Sequence, residues 1–462
     1  MALFERFSVT PHQPSLSLGY LAGMLSKHQI SYRVIDALAE NLSLPQLMSR
    51  LRADPPEYVG ITVNIALAYA SLRTALEIKR SFPTIKILLG GPWATAKATS
   101  LIQRHYADIV VMGEGERTLI ELLHVGLEDR DRLQTIHGIC YRLGKEIIAT
   151  PPRELISNLD EIPLPDWSQF PTRWYRKSHR GSPLYPLMTS RGCPYNCKNC
   201  TKIIHGRQYR TRSIENILSE LDYLKSLGTK EIAIEDDMFN LDLNHLKKLL
   251  RKIIQKKYGF YFQLSNGLRA DGIDQELAHL LYAAGVYRAA IAIESGSQTV
   301  VDFLDKKLNL AVVPKAIKML QKAHIIVSGY FIIGLPVETY QSMLYSVEYA
   351  NQLDLDIIVF LNALAFPSTR LDAFIEQKTA KKPVTTIANQ RMNYLYTPLQ
   401  FSTPKLNDRL VQKVKSYNFI RSFLNPKRFF RILACYTPNE LLQQGVKHVM
   451  LSINVILNKL GF

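Results

Sequence analysis

The sequence predicts an α/β protein: a doubly wound layer, then a partial (β/α)6 barrel, then a basic tail of mixed helix and loop. Three observations carry this. Short apolar runs alternate with helical patterns up to about residue 150. A stretch without any period, rich in Pro, acids and aromatics, fills 151–184. A second series of six β-α units then begins at Tyr185. Strand–helix alternation at such spacing builds parallel sheets with helices on their faces.

Within the first 150 residues, SYRVID (31–36), YVGITV (58–63), IKILLGG (85–91) and DIVVMG (108–113) read as buried parallel strands. The stretches Leu16–His28 and Ala66–Ser81 read as helices between them. Ligands of doubly wound sheets bind at the carboxyl ends of the strands. Gly90, Gly91, Gly113 and Glu114 stand at those ends and are the candidate cofactor contacts of this layer. Glycines there let the backbone approach a phosphate or a ring, although tight turns after strands also need them. The string NLDEIPLPDWSQFPTRWY reads as an extended linker. The barrel strands are YPLMTS from Tyr185, EIAIED (231–236), FYFQLS (260–265), AAIAIES (289–295), VSGYFIIG (327–334) and IIVFLNA (357–363), and the domain is expected over 185–395. The helices Ile214–Leu227 and Leu243–Lys256 lie between strands.

Composition limits the function classes. A chain of 462 residues with 47% hydrophobic and 21% charged residues is an ordinary globular protein of two or three domains. The start has no signal-peptide pattern, and no apolar run is long enough to span a membrane. The expected location is the cytoplasm, with peripheral contact to an anionic membrane through the tail. That contact follows from charge. The net charge is +17, and residues 401–462 hold ten Lys and Arg against Asp408 and Glu440. The segment from Glu440 onward has apolar residues at helical spacing and suits a membrane interface or a docked helix. Nucleic acid is the disfavoured polyanion.

Chemistry concentrates in one loop. Cys193, Cys197 and Cys200 form a C-x3-C-x2-C run after the first barrel strand, and only Cys140 and Cys435 lie elsewhere. Barrels place their catalytic groups on such loops. Three thiolates hold three irons of a four-iron cluster and leave the fourth iron open to a ligand. The competing reading is a zinc site that adds His205, in a non-catalytic protein binding nucleic acid. The spacing is not that of paired zinc knuckles, which favours the cluster.

This loop, together with Glu294-Ser295-Gly296-Ser297, the string GLPVET (334–339), AFPST (365–369) and EIPLPD (161–166), resembles the radical S-adenosylmethionine (SAM) superfamily, in its branch with an amino-terminal cobalamin-binding domain. The resemblance spans about residues 16–375. It implies a Rossmann-like cobalamin-binding-type domain over 1–150. It also implies a [4Fe-4S] cluster on Cys193, Cys197 and Cys200 that cleaves SAM to methionine and a 5′-deoxyadenosyl radical. Contacts to SAM are implied for Glu294, Ser295 and Gly334, for one of Glu235, Asp236 and Asp237, and for Arg269, facing the methionine carboxylate. No residue is singled out as the catalytic one. Two departures stand out. Only fifteen residues precede Leu16, so the first, central strand of the cobalamin-type sheet is expected to be missing. No D-x-H-x-x-G string supplies a histidine to cobalt. The implied function is cobalamin-dependent methylation of an unactivated carbon, with oxidation, cyclisation or coupling as the alternative. The substrate is expected to be a small molecule such as a lipid, isoprenoid or pigment, and an external donor supplies electrons.

Overall fold

The computed structural model describes residues 13–175 and 183–378, and beyond them 380–381, 399, 401–423, 425 and 428. Two sheets organise it. In the first, β1 (Tyr58–Thr62), β2 (Lys86–Gly90) and β3 (Ile109–Val111) run parallel, with Thr62 opposite Gly90 and Leu88 opposite Ile109. Ile87 and Leu89 face one apolar cluster while Leu88 faces another, so β2 is buried on both sides. This is why it reads as an unbroken apolar run.

Two differences from the sequence expectation appear here. The string 31–36 forms no strand. Tyr32 and Val34 pack toward the barrel core, and the Tyr32 hydroxyl donates to Asp166 at 2.7 Å. An extended segment becomes a strand only beside another strand, and none among the described residues lies next to it. Conversely, β4 (Ile139–Leu143) and β5 (Glu146–Ala149) add an antiparallel hairpin to β3, with Cys140 opposite Val110. Gly144, at φ +59°, makes its tight turn.

The second sheet is wholly parallel and has six strands. Its strands are β6 (Leu184–Leu187), β9 (Glu231–Ile234), β10 (Tyr261–Leu268), β11 (Val286–Glu294), β12 (Ile326–Ile333) and β13 (Ile357–Asn362), side by side in the order β13-β12-β11-β10-β9-β6. These are the six expected units, in order. Between β6 and β9 a two-residue ladder pairs β7 (Ser190–Arg191) with β8 (Arg210–Thr211), antiparallel. The helix Leu243–Lys256 starts where Asp242 accepts from the His245 N–H and buries Leu246, Leu249, Leu250 and Ile253 along one side.

The stretch between the two sheets is packed. Trp167, Phe170 and Tyr175 are buried in the barrel core, and Ile156, Leu159 and Ile162 form a small cluster with Tyr20. The helix Leu16–Lys27 lies so close that a Cβ on Gly23 would stand 2.3 Å from the Leu164 carbonyl oxygen. Asp166 accepts from Ser26 and Tyr32 and from the Ser168 N–H. Burial works to raise its pKa, but these hydrogen bonds hold it down at about 2. Of the tail, the helix Asp408–Phe423 buries Val411 and Val414, and Arg421 pairs with Glu348 on the helix Tyr340–Gln352. The segment from Glu440 onward, expected at a membrane interface, lies outside the described residues. No helix among the described residues is long and apolar enough to cross a membrane.

Candidate active site

The three cysteines lie between β7 and β8. Gly192 opens the loop at φ +84°, where a Cβ would stand 2.1 Å from the Gln208 carbonyl oxygen. Only glycine fits such a turn. The loop is then pinned along its length. Lys198 donates its N–H to the Leu304 carbonyl at 2.8 Å and accepts from the Leu371 N–H at 2.9 Å. Arg370 donates to the Asn196 carbonyl, and Arg207 to the Asn196 side chain. Cys193 is buried, Cys197 half-buried and Cys200 exposed, and none is in a disulfide. The Lys202 ammonium lies 3.2 Å from the Cys200 sulfur.

The acids after β9 take three different positions. Asp236 is sealed in, accepting from the Thr189 N–H, the Thr189 hydroxyl and the Ser190 hydroxyl at 2.6 Å each. Burial pushes its pKa up to about 6. Asp237 accepts from the Gly192 N–H at 2.8 Å and faces His205 Nδ1 at 2.9 Å. Burial opposes its ionisation, yet His205 and Gly192 hold its pKa below the usual carboxylate range. Both aspartates therefore brace the cysteine loop. Glu235 keeps lighter partners, Gln13 at 2.7 Å and Asn266 at 3.2 Å, and burial raises its pKa.

Arg269, expected to face a carboxylate of SAM, is committed elsewhere. It forks onto Asp271, donates to the carbonyls of Lys306 and Lys307 at 2.8 and 2.7 Å, and lies 3.9 Å over the Tyr195 ring. Every guanidinium nitrogen is in use, so Arg269 is a brace for the loop. Ser295, also expected at the cofactor, turns into the core instead. It is fully buried, its hydroxyl lies 3.0 Å from that of Ser346, and it accepts from the Ser297 N–H. Glu294 does face the loop region. It stands at φ +74° beside a register shift in β11, and Lys306 donates to it at 2.7 Å. A non-glycine residue held in the left-handed region marks a place where the fold overrides local preference. Gly334, at φ +85°, is overlaid by Leu399 and Val411 of the tail.

Two turns of the first sheet differ in kind. A Cβ on Gly91, at φ +97°, would stand 3.0 Å from the Val63 carbonyl oxygen, whereas one on Gly113 would meet nothing within 4 Å. Gly90 ends β2 opposite Thr62. Glu114, expected at a cofactor, points into the barrel and is buried against Arg191 at 3.1 Å, Arg210 at 3.0 Å and the Ile156 N–H at 2.8 Å. Glu116 pairs with Arg191 at 2.6 Å. Sequence reasoning gave no role to Arg191, Arg210, Glu116 or Lys306. Glu114 and Arg191 are 77 positions apart, and no local pattern announces such a pairing.

The sequence model of the radical SAM superfamily matches residues 187–350, and that of the B12 binding domain matches residues 7–123. A protein of Pyrococcus horikoshii described as an uncharacterized methyltransferase is 31% identical over 361 residues, 78% of this chain and 77% of its own length. The chain belongs to the radical SAM superfamily, in the branch with a B12-binding domain. The cytidylyl-2-hydroxyethylphosphonate methyltransferase of Streptomyces wedmorensis is 28% identical over 395 residues, 73% of each chain. Among solved structures, the radical SAM methyltransferase TsrM of Kitasatospora setae, bound to tryptophan and a SAM analogue, superposes with a TM-score of 0.71. It is 18% identical, with 91% of this chain and 87% of that one covered. At that identity the likeness shows the fold.

Membership in this radical SAM branch brings a [4Fe-4S] cluster, SAM and cobalamin. The donor set fits the cluster. Three free thiols share one braced loop. Among the described residues no three His, Cys, Asp or Glu side chains close on a single ion. A cluster asks for less, because each thiolate binds its own iron. On the first sheet, the open backbone at Gly113 fits a ligand lying over the strand ends.

Glu338, in the turn after β12, yields a testable pH dependence. It is buried, accepts from the Leu335 N–H at 2.9 Å, and burial pushes its pKa up to about 7. The folded state therefore holds this proton more tightly than the unfolded chain. The resulting stability is complete below the ordinary glutamate pKa and is lost as pH rises through about 7. Glu338→Gln keeps an acceptor oxygen and removes the charge. Its melting temperature is expected to exceed wild type at pH 8 and to match it near pH 5, as checked by calorimetry.

Proposed function

We propose that this chain methylates an unactivated carbon of a small molecule, on a barrel spanning about 185–395 that follows a B12-binding domain spanning about 1–150. The observation that carries the reading is the union, in one chain, of a three-cysteine loop and a sheet of the B12-binding kind whose turn at Gly113 is open. Relatives described as methyltransferases support it. When bound, the cluster would supply the electron that cleaves SAM, and cobalamin would carry the methyl group.

The chain's own residues hold and orient. Cys193, Cys197 and Cys200 are the cluster ligands. Glu235 is the acid assigned to the methionine amino group, because its two partners are neutral amides and it is the least engaged acid of its turn. Glu294 and Lys306 form a pair of opposite charges, only 13% and 8% exposed at their side chains. A zwitterion such as the methionine end of SAM satisfies both by inserting between them. Gly334 shapes the turn beside the adenosyl group. Gly90, Gly91 and Gly113 are assigned to the cobalamin side. Substrate positioning and exclusion of other hydrogen donors fall to the barrel mouth.

Methyl transfer consumes two molecules of SAM per product. One gives S-adenosylhomocysteine, the other gives methionine and 5′-deoxyadenosine, and an external donor supplies the electrons. The full chain, reconstituted anaerobically with iron and sulfide, should release S-adenosylhomocysteine from SAM and reductant only when cobalamin is added. Formation of 5′-deoxyadenosine without S-adenosylhomocysteine would instead support oxidation, cyclisation or coupling.

A further inference from the structure

The neck of the cysteine loop holds an electrostatic conflict that its own domain does not resolve. In the ladder between β7 and β8, Arg191 stands directly opposite Arg210. Opposed residues of an antiparallel pair project to the same face, and like charges placed so repel. Both arginines are buried, at 4% and 5% exposure. Water therefore does little to screen them.

The neutralising charge comes from the other sheet. One carboxylate oxygen of Glu114 meets Arg191 and the other meets Arg210, while Glu116 takes a second nitrogen of Arg191. Arg191 also lies 5.2 Å over the ring of Tyr20 on the helix Leu16–Lys27. Arg210 donates further to the carbonyls of Ile156 and His205. Two acids and two arginines are thus buried together at the junction of the two sheets. A buried ion cluster adds little net stability over an apolar one, but it is unforgiving of displacement. Its use is to set one geometry.

We propose that Glu114, carried on the turn after β3, is the positioning residue that closes the neck of the cysteine loop. The first domain then determines where Cys193 stands, because Arg191 precedes it by two residues. The turn carrying Glu114 also bears the open backbone of Gly113. One short segment therefore faces the cobalamin side with its backbone and the iron side with its side chain. The assignment rests on the radical SAM reading for its purpose, but not for its test.

The test uses the full chain without iron. Trypsin sites at Lys198, Lys202 and Arg207 lie inside the loop. Cleavage there under native conditions tracks how often the loop opens. In Glu114→Gln, cleavage at these three sites is expected to rise about tenfold, with mass spectrometry identifying the cut. Asp356→Asn is the control. It alters a buried acid that accepts from the Val327 N–H, and it should leave loop cleavage at the wild-type rate. If Glu114→Gln is insoluble, Glu116→Gln serves, since it removes one contact to Arg191 and leaves the bridge. Its expected rise is smaller. After anaerobic reconstitution, Glu114→Gln should also show a reduced-cluster paramagnetic signal broader than that of Asp356→Asn. Loop cleavage no faster than in Asp356→Asn, together with an unaltered signal, overturns the proposal. If wild type takes up no iron, the radical reading fails while the cleavage result still decides the role of Glu114.

Discussion

Alanine at Cys193, Cys197 or Cys200 is expected to abolish reductive cleavage of SAM while leaving the fold in place. Two thiolates cannot hold a cube that needs three, and no other described cysteine stands ready to replace one. The other cysteine among the described residues, Cys140, is buried in β4. The structural cost is small by comparison. Cys200 is exposed, so its truncation should change stability by less than about 0.5 kcal/mol. Cys193 is buried, and losing its sulfur should cost about 1 kcal/mol. Measured together, 5′-deoxyadenosine release falls to the uncatalysed background while the melting temperature moves by a few degrees. Retained turnover in any of the three variants would falsify the assignment of the loop.

Gly192→Ala is expected to have nearly as large an effect without touching a ligand. The new Cβ would stand 2.1 Å from the Gln208 carbonyl oxygen and 3.1 Å from that of His205, at a φ of +84°. The left-handed conformation alone costs an alanine about 1–2 kcal/mol. The clash is with backbone, which cannot swing aside as a flexible side chain would, and relief adds about 1–3 kcal/mol. The strain falls on the two ends of one loop. Gly192 also donates its N–H to Asp237, so displacement loosens that brace too. Iron bound after reconstitution is expected to drop severalfold with all three thiols present. Full iron content in this variant would show that the neck adapts freely and that the bracing matters less than the donors.

Much of the barrel was legible because its strands are apolar runs separated by amphipathic helices. Leu243–Lys256 reads the same from periodicity as from structure. The first sheet was less so. The string 31–36 has the apolar content of a strand, yet the described residues give it no neighbour, and pairing is not a local property. The hairpin 139–149 was missed because its two short strands have no long apolar run, only a tight turn at Gly144.

The site divides in the same way. Spacing alone marked Cys193, Cys197 and Cys200, because three ligands within eight positions need no tertiary fold to be brought together. The fates of Arg269, Ser295, Glu114 and the two aspartates after β9 were not readable. Each is a polar residue at the end of a strand, and sequence cannot say which way such a side chain turns. Tertiary structure decided that Arg269 clasps Tyr195 and the 306–307 backbone, that Ser295 faces Ser346, and that Glu114 answers two opposed arginines in the neighbouring domain. The physical reason is that burial obliges every charge to find a partner, and the partners here lie up to about a hundred residues away.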